Sequence, residues 1–193
     1  MLGLDEAGVG PGFGNLVASA VHILETTDDL NGLTDSKLLS EKKRDMFYET
    51  ITQTCYFGIG VVTNEEIDQF SLGEARRRVF ERALDDFVRK YPSFKVCNLI
   101  VDGTIFRPWK DVPYQCLPRA DKTIPAVSAA SIVAKVTRDR QVIALCDEFP
   151  DLHDKYKIRN NKGYLSAEHK QGIATHGLSS YHRHSYKIKL SNS

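Results

Sequence analysis

Apolar side chains recur every three to four positions along residues 72–90, which is the spacing of one face of an α-helix. Residues 126–147 form a second long helical segment, and Pro150 follows its end. The stripe of the first segment consists of Val79, Ala83 and Phe87, with Phe80, Leu84 and Val88 beside them. For most of the arginines around the rest of that helix we expect a solvated face: Arg76, Arg77, Arg78 and Arg82.

Shorter apolar runs between the helical segments predict β-strands. The predicted strands are residues 2–6, 15–25, 54–62 and 95–101. The other predicted helices run from an N-cap at Ser40 to about Thr52, from Asn64 over a short stretch, and over residues 166–175. A glycine-rich turn at 7–14, a polar loop at Asp28–Leu39 and a tail without strong pattern at Ser179–Ser193 complete the chain. Strands alternate with helices, so the sequence predicts an α/β domain.

Length and composition fit one globular domain. The chain has 193 residues, of which 41% are hydrophobic, and it needs no disulfides to build a core. Its four cysteines form no Cys-x-x-Cys pair, which disfavours a zinc ribbon and fits a reducing cytoplasm. We find no signal-peptide pattern after Met1 and no apolar run near the ~20 residues of a membrane span. We therefore expect a cytoplasmic protein without a membrane partner and, by default, a monomer.

Charge is distributed unevenly along the chain. Residues 1–154 carry 18 Lys/Arg and 24 Asp/Glu, whereas residues 155–193 carry eight Lys/Arg and one acid, Glu168. One interpretation is a basic C-terminal segment that grips a phosphate backbone. The alternative is that the tail lysines and arginines only provide solubility.

Four acids lie outside the charged helix faces where solvated acids are usual. Asp5 and Glu6 end the first predicted strand, and Asp102 ends the fourth and precedes a glycine. Asp121 lies in a loop just before the helix at 126–147. Strand ends and loops are where α/β folds place their sites. An acid before glycine can also be a simple turn residue, and for Asp102 taken alone this alternative stays open.

Asp139 is a fifth candidate. It lies eleven residues, or about three helical turns, after Ser128, so that both lie on one face together with Lys135. Carboxylates that converge without matching cations repel one another unless a cation is bound. All-oxygen ligands suit Mg²⁺ or Mn²⁺ better than zinc, and two such ions can support phosphoryl displacement. The acids therefore predict a metal site for phosphoryl chemistry.

The glycine run at 7–14 fits neither common nucleotide-binding motif. The pattern G-x-G-x-x-G fails because Phe13 stands at the third glycine position, and no Gly-Lys-Ser/Thr of a P-loop occurs. A strand rather than a helix is predicted to follow. The run therefore indicates a backbone that another molecule can approach closely, beside two acids.

Five blocks of sequence together resemble the ribonuclease HII family. Taken in order along residues 2–187 they are LDEAGVGPGFG, DSKLLSEKKR, VDGT, RADKTIPAVSAASIVAKVTRDR, and GYLSAEH with HRHSY. Each block alone is weak, but five in family order are highly specific.

The resemblance implies a ribonuclease H-like fold, in which helices flank a mixed central sheet. It implies a catalytic domain at 1–150 and a basic, helical C-terminal segment at 151–193. It also implies hydrolysis of RNA paired with DNA, or of ribonucleotides embedded in duplex DNA, giving 5′-phosphate and 3′-hydroxyl ends without a side-chain nucleophile. The implied ligands of two Mg²⁺ or Mn²⁺ ions are Asp5, Glu6, Asp102 and Asp121, with Asp139 in support.

The resemblance also assigns contacts to the nucleic acid. The backbone amides of Gly8, Val9 and Gly10 are matched to recognition of the 2′-hydroxyl, and Tyr164 to packing on the sugar at an RNA–DNA junction. The remaining candidate contacts are Ser36 and Lys37 with the backbone, Lys135 with phosphate or an acid, and His182 and Arg183 with phosphate or local partners.

Val9 departs from the family pattern, which has arginine between the two glycines. The amides survive this change, but the charge and donors of the arginine do not. Related type 3 enzymes also lack the arginine and cut longer RNA stretches, although they carry an extra N-terminal domain. Two alternatives stay open: an enzyme that cuts hybrids without junction specificity, and a nucleic-acid-binding module whose acids no longer hold metal.

Overall fold

The protein is described as a computed structural model covering residues 1–24 and 30–189. The part of the predicted second strand at residue 25, the start of the polar loop at 28–29 and the tail beyond residue 189 lie outside the described residues. The strands are β1 (Leu2–Ala7), β2 (Leu16–Ile23), β3 (Cys55–Val62), β4 (Leu99–Asp102) and β5 (Tyr114–Leu117). The helices are α1 (Glu41–Thr54), α2 (Asn64–Phe70), α3 (Leu72–Lys90), α4 (Pro125–Glu148), α5 (Asp151–Tyr156), α6 (Ile158–Asn161) and α7 (Ala167–His176).

The five strands form one mixed sheet in the order β3-β2-β1-β4-β5. β1 runs antiparallel to β2 and parallel to β4, and β5 is parallel to β4. α3 covers one face of the sheet through Val79, Phe80 and Ala83. α4 covers the other face through Ala129, Ile132 and Val133. The predicted fold class, a mixed sheet flanked by helices with a helical C-terminal region, is confirmed.

Small residues let α4 approach the centre of the sheet. A Cβ atom added to Gly3 on β1 would lie 2.3 Å from the backbone carbon of Ala126, so only glycine fits there. Ala126, Ala129 and Ala130 present short side chains along the start of the helix. This close packing brings the first turns of α4 beside the end of β1, where the acids lie.

The predicted boundaries are confirmed for most elements and wrong for one strand. Residues 95–98 are irregular, and β4 begins only at Leu99, because its partner β1 begins at Leu2, opposite Leu99. The sequence analysis missed the exposed four-residue strand β5 and the short helices α5 and α6. Ser40 is the N-cap of α1, as predicted, and its hydroxyl accepts a hydrogen bond from the backbone N–H of Lys43.

The C-terminal segment packs on the second half of α4. Its core contains Leu152, Tyr156 and Ile173, which surround Phe13 of the glycine-rich turn and Val142 of α4. A short β-bridge joins Phe13 to His182. The division of the chain at residue 150 stays a prediction. Among the described residues no helix has the length and apolar character to cross a membrane.

Candidate active site

Asp5 and Glu6 are consecutive residues of β1 and therefore point to opposite faces of the sheet. Asp5 points toward α4, where the hydroxyl of Ser131 interacts with its carboxylate. Glu6 points toward α3, where the guanidinium of Arg76 donates a hydrogen bond to its Oε1 atom. One pair of neighbouring acids thus supplies carboxylates to both sides of the strand end.

Three carboxylates converge at the ends of β1 and β4. Oxygen atoms of Asp5, Asp102 and Asp121 all lie within 4.8 Å of one another. The pairing of Leu4 with Val101 in the parallel β1–β4 register places the next residues, Asp5 and Asp102, side by side. Asp121 lies in the 3-10 turn Ala120–Lys122, and the N–H of Ala120 donates to Oδ1 of Asp102 at 2.7 Å. All three acids were predicted from the sequence as candidates for a metal site.

Burial and mutual repulsion make this cluster unfavourable when all its acids are charged. Burial, followed by the charges of Glu6 and Asp102, holds the pKa of Asp5 well above its ordinary value. Burial, Asp102 and Asp35 raise the pKa of Asp121 to about 6. A bound divalent cation would remove the repulsion. The donor set consists only of carboxylate oxygens, which suits Mg²⁺ or Mn²⁺.

Glu6 lies outside the group of three and has its own cationic partner. Its side chain is 8% exposed and that of Arg76 is 19% exposed. Oε2 of Glu6 is buried and has no hydrogen-bond partner among the described residues. Burial raises the pKa of Glu6 although Arg76 acts in the opposite direction. The free oxygen is a ligand atom available to a cation, and the residues present therefore fit a divalent-metal site.

Asp35 is a buried acid at the same site that was not predicted from the sequence. Asp35 is 7% exposed and lies near enough to Asp121 to raise its pKa. Its carboxylate accepts a hydrogen bond from the N–H of Lys37 at 2.9 Å. The neighbouring Ser36 accepts a 2.8 Å hydrogen bond from Ser131 on α4. The available signal was position, because Asp35 adjoins Ser36 and Lys37, which were both predicted.

A cleft of about 340 Å³ joins the carboxylates of Asp5, Glu6 and Asp102 to most of the predicted substrate contacts. Tyr164 is 43% exposed at its edge, and a Cβ added to Gly10 would lie 3.7 Å from its ring. Nζ of Lys135 lies 5.2 Å from the centre of the Tyr164 ring. The lining residues are Asp5, Glu6, Ala7, Gly8, Val9, Gly10, Ser36, Lys37, Asp102, Ser131, Lys135 and Tyr164.

The structure places Asp139 outside the carboxylate cluster. Its oxygens accept from Nζ of Lys135 at 2.9 Å and from Arg138 at 3.2 Å. It lines a separate pocket together with Glu41 and Arg140. Of the two interpretations of Lys135, pairing with an acid is therefore the one observed. Asp139 is linked to the cleft through Lys135, which lines it, and through Arg138, whose guanidinium lies 6.0 Å from the centre of the Tyr164 ring.

Of the two alternatives for His182 and Arg183, contact with phosphate is contradicted and packing against local partners is observed. Both side chains have no exposed surface. Nε2 of His182 lies 3.0 Å from Nε2 of His169, and Arg183 donates to backbone carbonyls. Other cationic side chains of the C-terminal segment form salt bridges within the chain, since Lys155 pairs with Asp151 and Arg159 with Asp147. The sequence pattern His-Arg-His indicated a basic surface, but the side chains of His182 and Arg183 are buried and form hydrogen bonds inside the protein.

A mixed sheet flanked by helices, with a carboxylate cluster at the ends of its central strands, defines a divalent-metal-dependent nuclease of the ribonuclease H class. The family model described as Ribonuclease HII matches residues 2–189. The chain belongs to the ribonuclease HII family.

The comparisons extend along nearly the whole chain. Ribonuclease HII of Rickettsia felis is 40% identical over 185 residues, covering 96% of this chain and 90% of that protein. The ribonuclease H2 structure from Pyrococcus horikoshii OT3 superposes with a TM-score of 0.75 at 26% identity, covering 96% and 93%. The structure of the PCNA:RNase HII complex from Archaeoglobus fulgidus gives a TM-score of 0.72 at 28% identity, covering 95% and 91%.

Proposed function

We propose that the protein hydrolyses RNA within RNA/DNA duplexes, both in continuous hybrids and at ribonucleotides embedded in DNA, leaving 5′-phosphate and 3′-hydroxyl ends. The observation that carries this proposal is one cleft in which Asp5 and Asp102 of the carboxylate cluster lie beside the Gly8–Gly10 backbone and Tyr164. A carboxylate cluster alone would suit many phosphoryl hydrolases. The adjacent amides and the exposed aromatic ring add groups that can recognise a ribose.

Asp5, Asp102 and Asp121 would hold one Mg²⁺ or Mn²⁺ ion, and Glu6 would contribute its free Oε2 to a second. Two such ions supply activation of the attacking water and stabilisation of the charge on the phosphate. The carboxylates fix the position of this chemistry at the ends of β1 and β4. No side chain of the cleft is required as a nucleophile.

Gly10, Tyr164 and Lys37 of the cleft bind and orient the nucleic acid. Gly10 is exposed, so its N–H can meet a 2′-hydroxyl without obstruction by a side chain. The ring of Tyr164 offers an apolar face to the sugar of the next nucleotide. The exposed ammonium of Lys37 can pair with a backbone phosphate near the carboxylates. RNA is thus distinguished from DNA by the 2′-hydroxyl and not by the bases.

A second candidate function is cleavage of continuous hybrids without preference for single ribonucleotides. Val9 is the observation that favours it, because an arginine at this position would add donors to the cleft. The side chain of Val9 instead packs against the hydrophobic core on the α3 side of the sheet. The side chain of residue 9 then offers the substrate no hydrogen-bond donor.

Replacement of Asp102 separates an enzyme from a binding module. Asp102→Asn keeps the Oδ1 acceptor for Ala120 but removes one negative charge from the cluster. We expect cleavage to fall by about 10³-fold or more, as when a transition-state group is lost. Duplex binding should persist or tighten, because one charge that repels phosphate is gone.

Asp111→Asn is the matched control, since Asp111 is exposed and lies outside the cleft. It should retain wild-type cleavage and binding. If Asp102→Asn cut as fast as the wild-type protein, the metal assignment would fail. If the wild-type protein bound duplexes but cut none, the binding module would replace the enzyme as the conclusion.

A further inference from the structure

Two fully buried arginines hold the carbonyl side of the glycine-rich turn. Arg138 on α4 donates to the carbonyl of Phe13 at 2.9 Å. Arg183 of the C-terminal segment donates from Nε to the carbonyl of Gly14 at 2.9 Å and from Nη2 to that of Asn15 at 3.1 Å. Among the described residues no carboxylate forms a salt bridge with Arg183, so carbonyl and hydroxyl oxygens compensate its burial.

Tyr186 links Arg183 to Val9, the residue that departs from the family pattern. Nη1 of Arg183 donates to the hydroxyl of Tyr186 at 2.8 Å. That hydroxyl in turn donates to the carbonyl of Val9 at 2.7 Å. The two hydrogen bonds therefore form a chain in which Arg183 donates to Tyr186 and Tyr186 donates to the backbone of the turn.

Because the peptide bond is planar, this contact also fixes the direction of the Gly10 N–H. The carbonyl of Val9 and the N–H of Gly10 belong to the same trans peptide and point in opposite directions. When Tyr186 holds the carbonyl from behind, the N–H of Gly10 is directed away from Tyr186. Gly10 lines the cleft, and its Cβ position is near Tyr164.

We propose that Tyr186, held by Arg183, is a positioning residue that orients the Val9–Gly10 peptide for recognition of the substrate ribose. This inference rests on the proposed function, in which the Gly8–Gly10 amides contact the 2′-hydroxyl. Tyr186 does not touch the substrate. It supplies rigidity to a turn whose residue 9 contributes no polar side chain of its own.

The test compares Tyr186→Phe with Tyr181→Phe. Tyr186→Phe removes one oxygen and leaves the ring. Tyr181 is a matched control, since its ring packs on Phe13 while its hydroxyl has no hydrogen-bond partner in the described part of the chain. For each protein, Kd is measured for an all-DNA duplex and for the same duplex with one ribonucleotide, with Ca²⁺ replacing Mg²⁺ to prevent cleavage.

We expect Tyr186→Phe to reduce the preference for the ribonucleotide duplex by about fivefold, the effect of roughly one hydrogen bond. Its affinity for the all-DNA duplex should stay unchanged, and Tyr181→Phe should retain the wild-type preference. An unchanged preference in Tyr186→Phe would overturn the proposal. Equal weakening of both duplexes would also overturn it, because a purely structural role has that result.

NMR relaxation of the backbone amides of the free protein separates this inference from the proposed function. If the wild-type protein shows no preference for a ribonucleotide and cuts no duplex, the proposed function fails. The amide of Gly10 still reports on the turn in that case. A lower order parameter of this amide in Tyr186→Phe than in Tyr181→Phe supports the positioning role, and identical order parameters overturn it.

Discussion

Arg76 on α3 forms an ion pair with Glu6 at the end of β1, although the two residues are 70 positions apart in the chain. Only one oxygen of Glu6 is used, and the other is buried without a partner among the described residues. A Cβ added to Gly103, just after Asp102, would lie 3.6 Å from Nη2 of Arg76. The guanidinium therefore lies beside the carboxylate cluster and repels any divalent ion that binds there.

Replacement of Arg76 should strengthen metal binding. Arg76→Gln removes a positive charge near the site and releases Oε1 of Glu6. We therefore expect half-saturation by Mn²⁺ at a concentration about three- to tenfold lower than in the wild-type protein. Electron paramagnetic resonance of free Mn²⁺ measures this without any substrate. Arg77→Gln is the control, because Arg77 is exposed and lies near Glu74 rather than Glu6. Equal Mn²⁺ affinity in both variants would exclude competition by Arg76.

The stability of the metal-free protein should fall with rising pH because of Asp121. Its pKa is raised from 3.8 to about 6, so the folded protein keeps a proton that the unfolded chain loses. This stabilisation is complete below about pH 4 and is lost as the pH rises through 6. Relative to Asp121→Asn, the wild-type protein should lose about 1–3 kcal/mol between pH 4 and pH 7.

Urea unfolding in EDTA at several pH values measures this difference, with Asp111→Asn as a control that follows the wild-type protein. Saturating Mg²⁺ at pH 7 should restore the lost stability, since an ion that binds only the folded state stabilises it. A difference between wild type and Asp121→Asn that does not vary with pH would show that Asp121 titrates normally.

Residue 9 should control the choice between single ribonucleotides and longer hybrids. Val9→Arg adds a guanidinium at the edge of the cleft, with donors for the nucleic acid. We expect the ratio of kcat/KM for one embedded ribonucleotide to that for a continuous hybrid to increase severalfold. Val9→Leu, which adds bulk without donors, should leave the ratio unchanged. The same ratio in Val9→Arg and wild type would mean that Val9 does not set the preference.

Binding of a duplex should depend steeply on salt, and Lys37 should account for part of the slope. Each neutralised phosphate contributes about −0.9 to the slope of log K against log[salt] for duplex DNA. Lys37→Ala should therefore flatten the slope by about one unit. Lys155→Ala should have no such effect, because Lys155 is already paired with Asp151. If Lys155→Ala flattened the slope instead, the C-terminal segment would be the gripping surface after all.

The carboxylates at the ends of strands were the most predictable part of the site. Asp5 and Asp102 follow apolar runs that form neighbouring parallel strands, so the local sequence pattern identified both as candidates, although it left the simple-turn alternative open for Asp102. Arg76 was not predictable in this way. On α3 it resembles Arg77 and Arg78, and only the three-dimensional packing of α3 against β1 brings it to Glu6.

Burial of polar side chains was the least predictable feature. His182 and Arg183 lie in a basic stretch, yet both are buried. Arg183 donates to carbonyls of the irregular turn around Gly14 that no strand or helix satisfies, and His182 contacts His169 and the ring of Phe13. Strand β5 was also not predicted from the sequence. It is four residues long and partly exposed, so it lacks the apolar run that marks β4.

Cleavage of two labelled duplexes tests the central claim most directly. One duplex is DNA with a single embedded ribonucleotide, and the other is a continuous RNA/DNA hybrid; both are incubated with Mg²⁺ and with Mn²⁺. We predict that both duplexes are cut and that the duplex with the embedded ribonucleotide is cut at the 5′ side of that ribonucleotide. No cutting is expected in EDTA or by Asp102→Asn. Failure of the wild-type protein to cut either duplex with either ion would contradict the account.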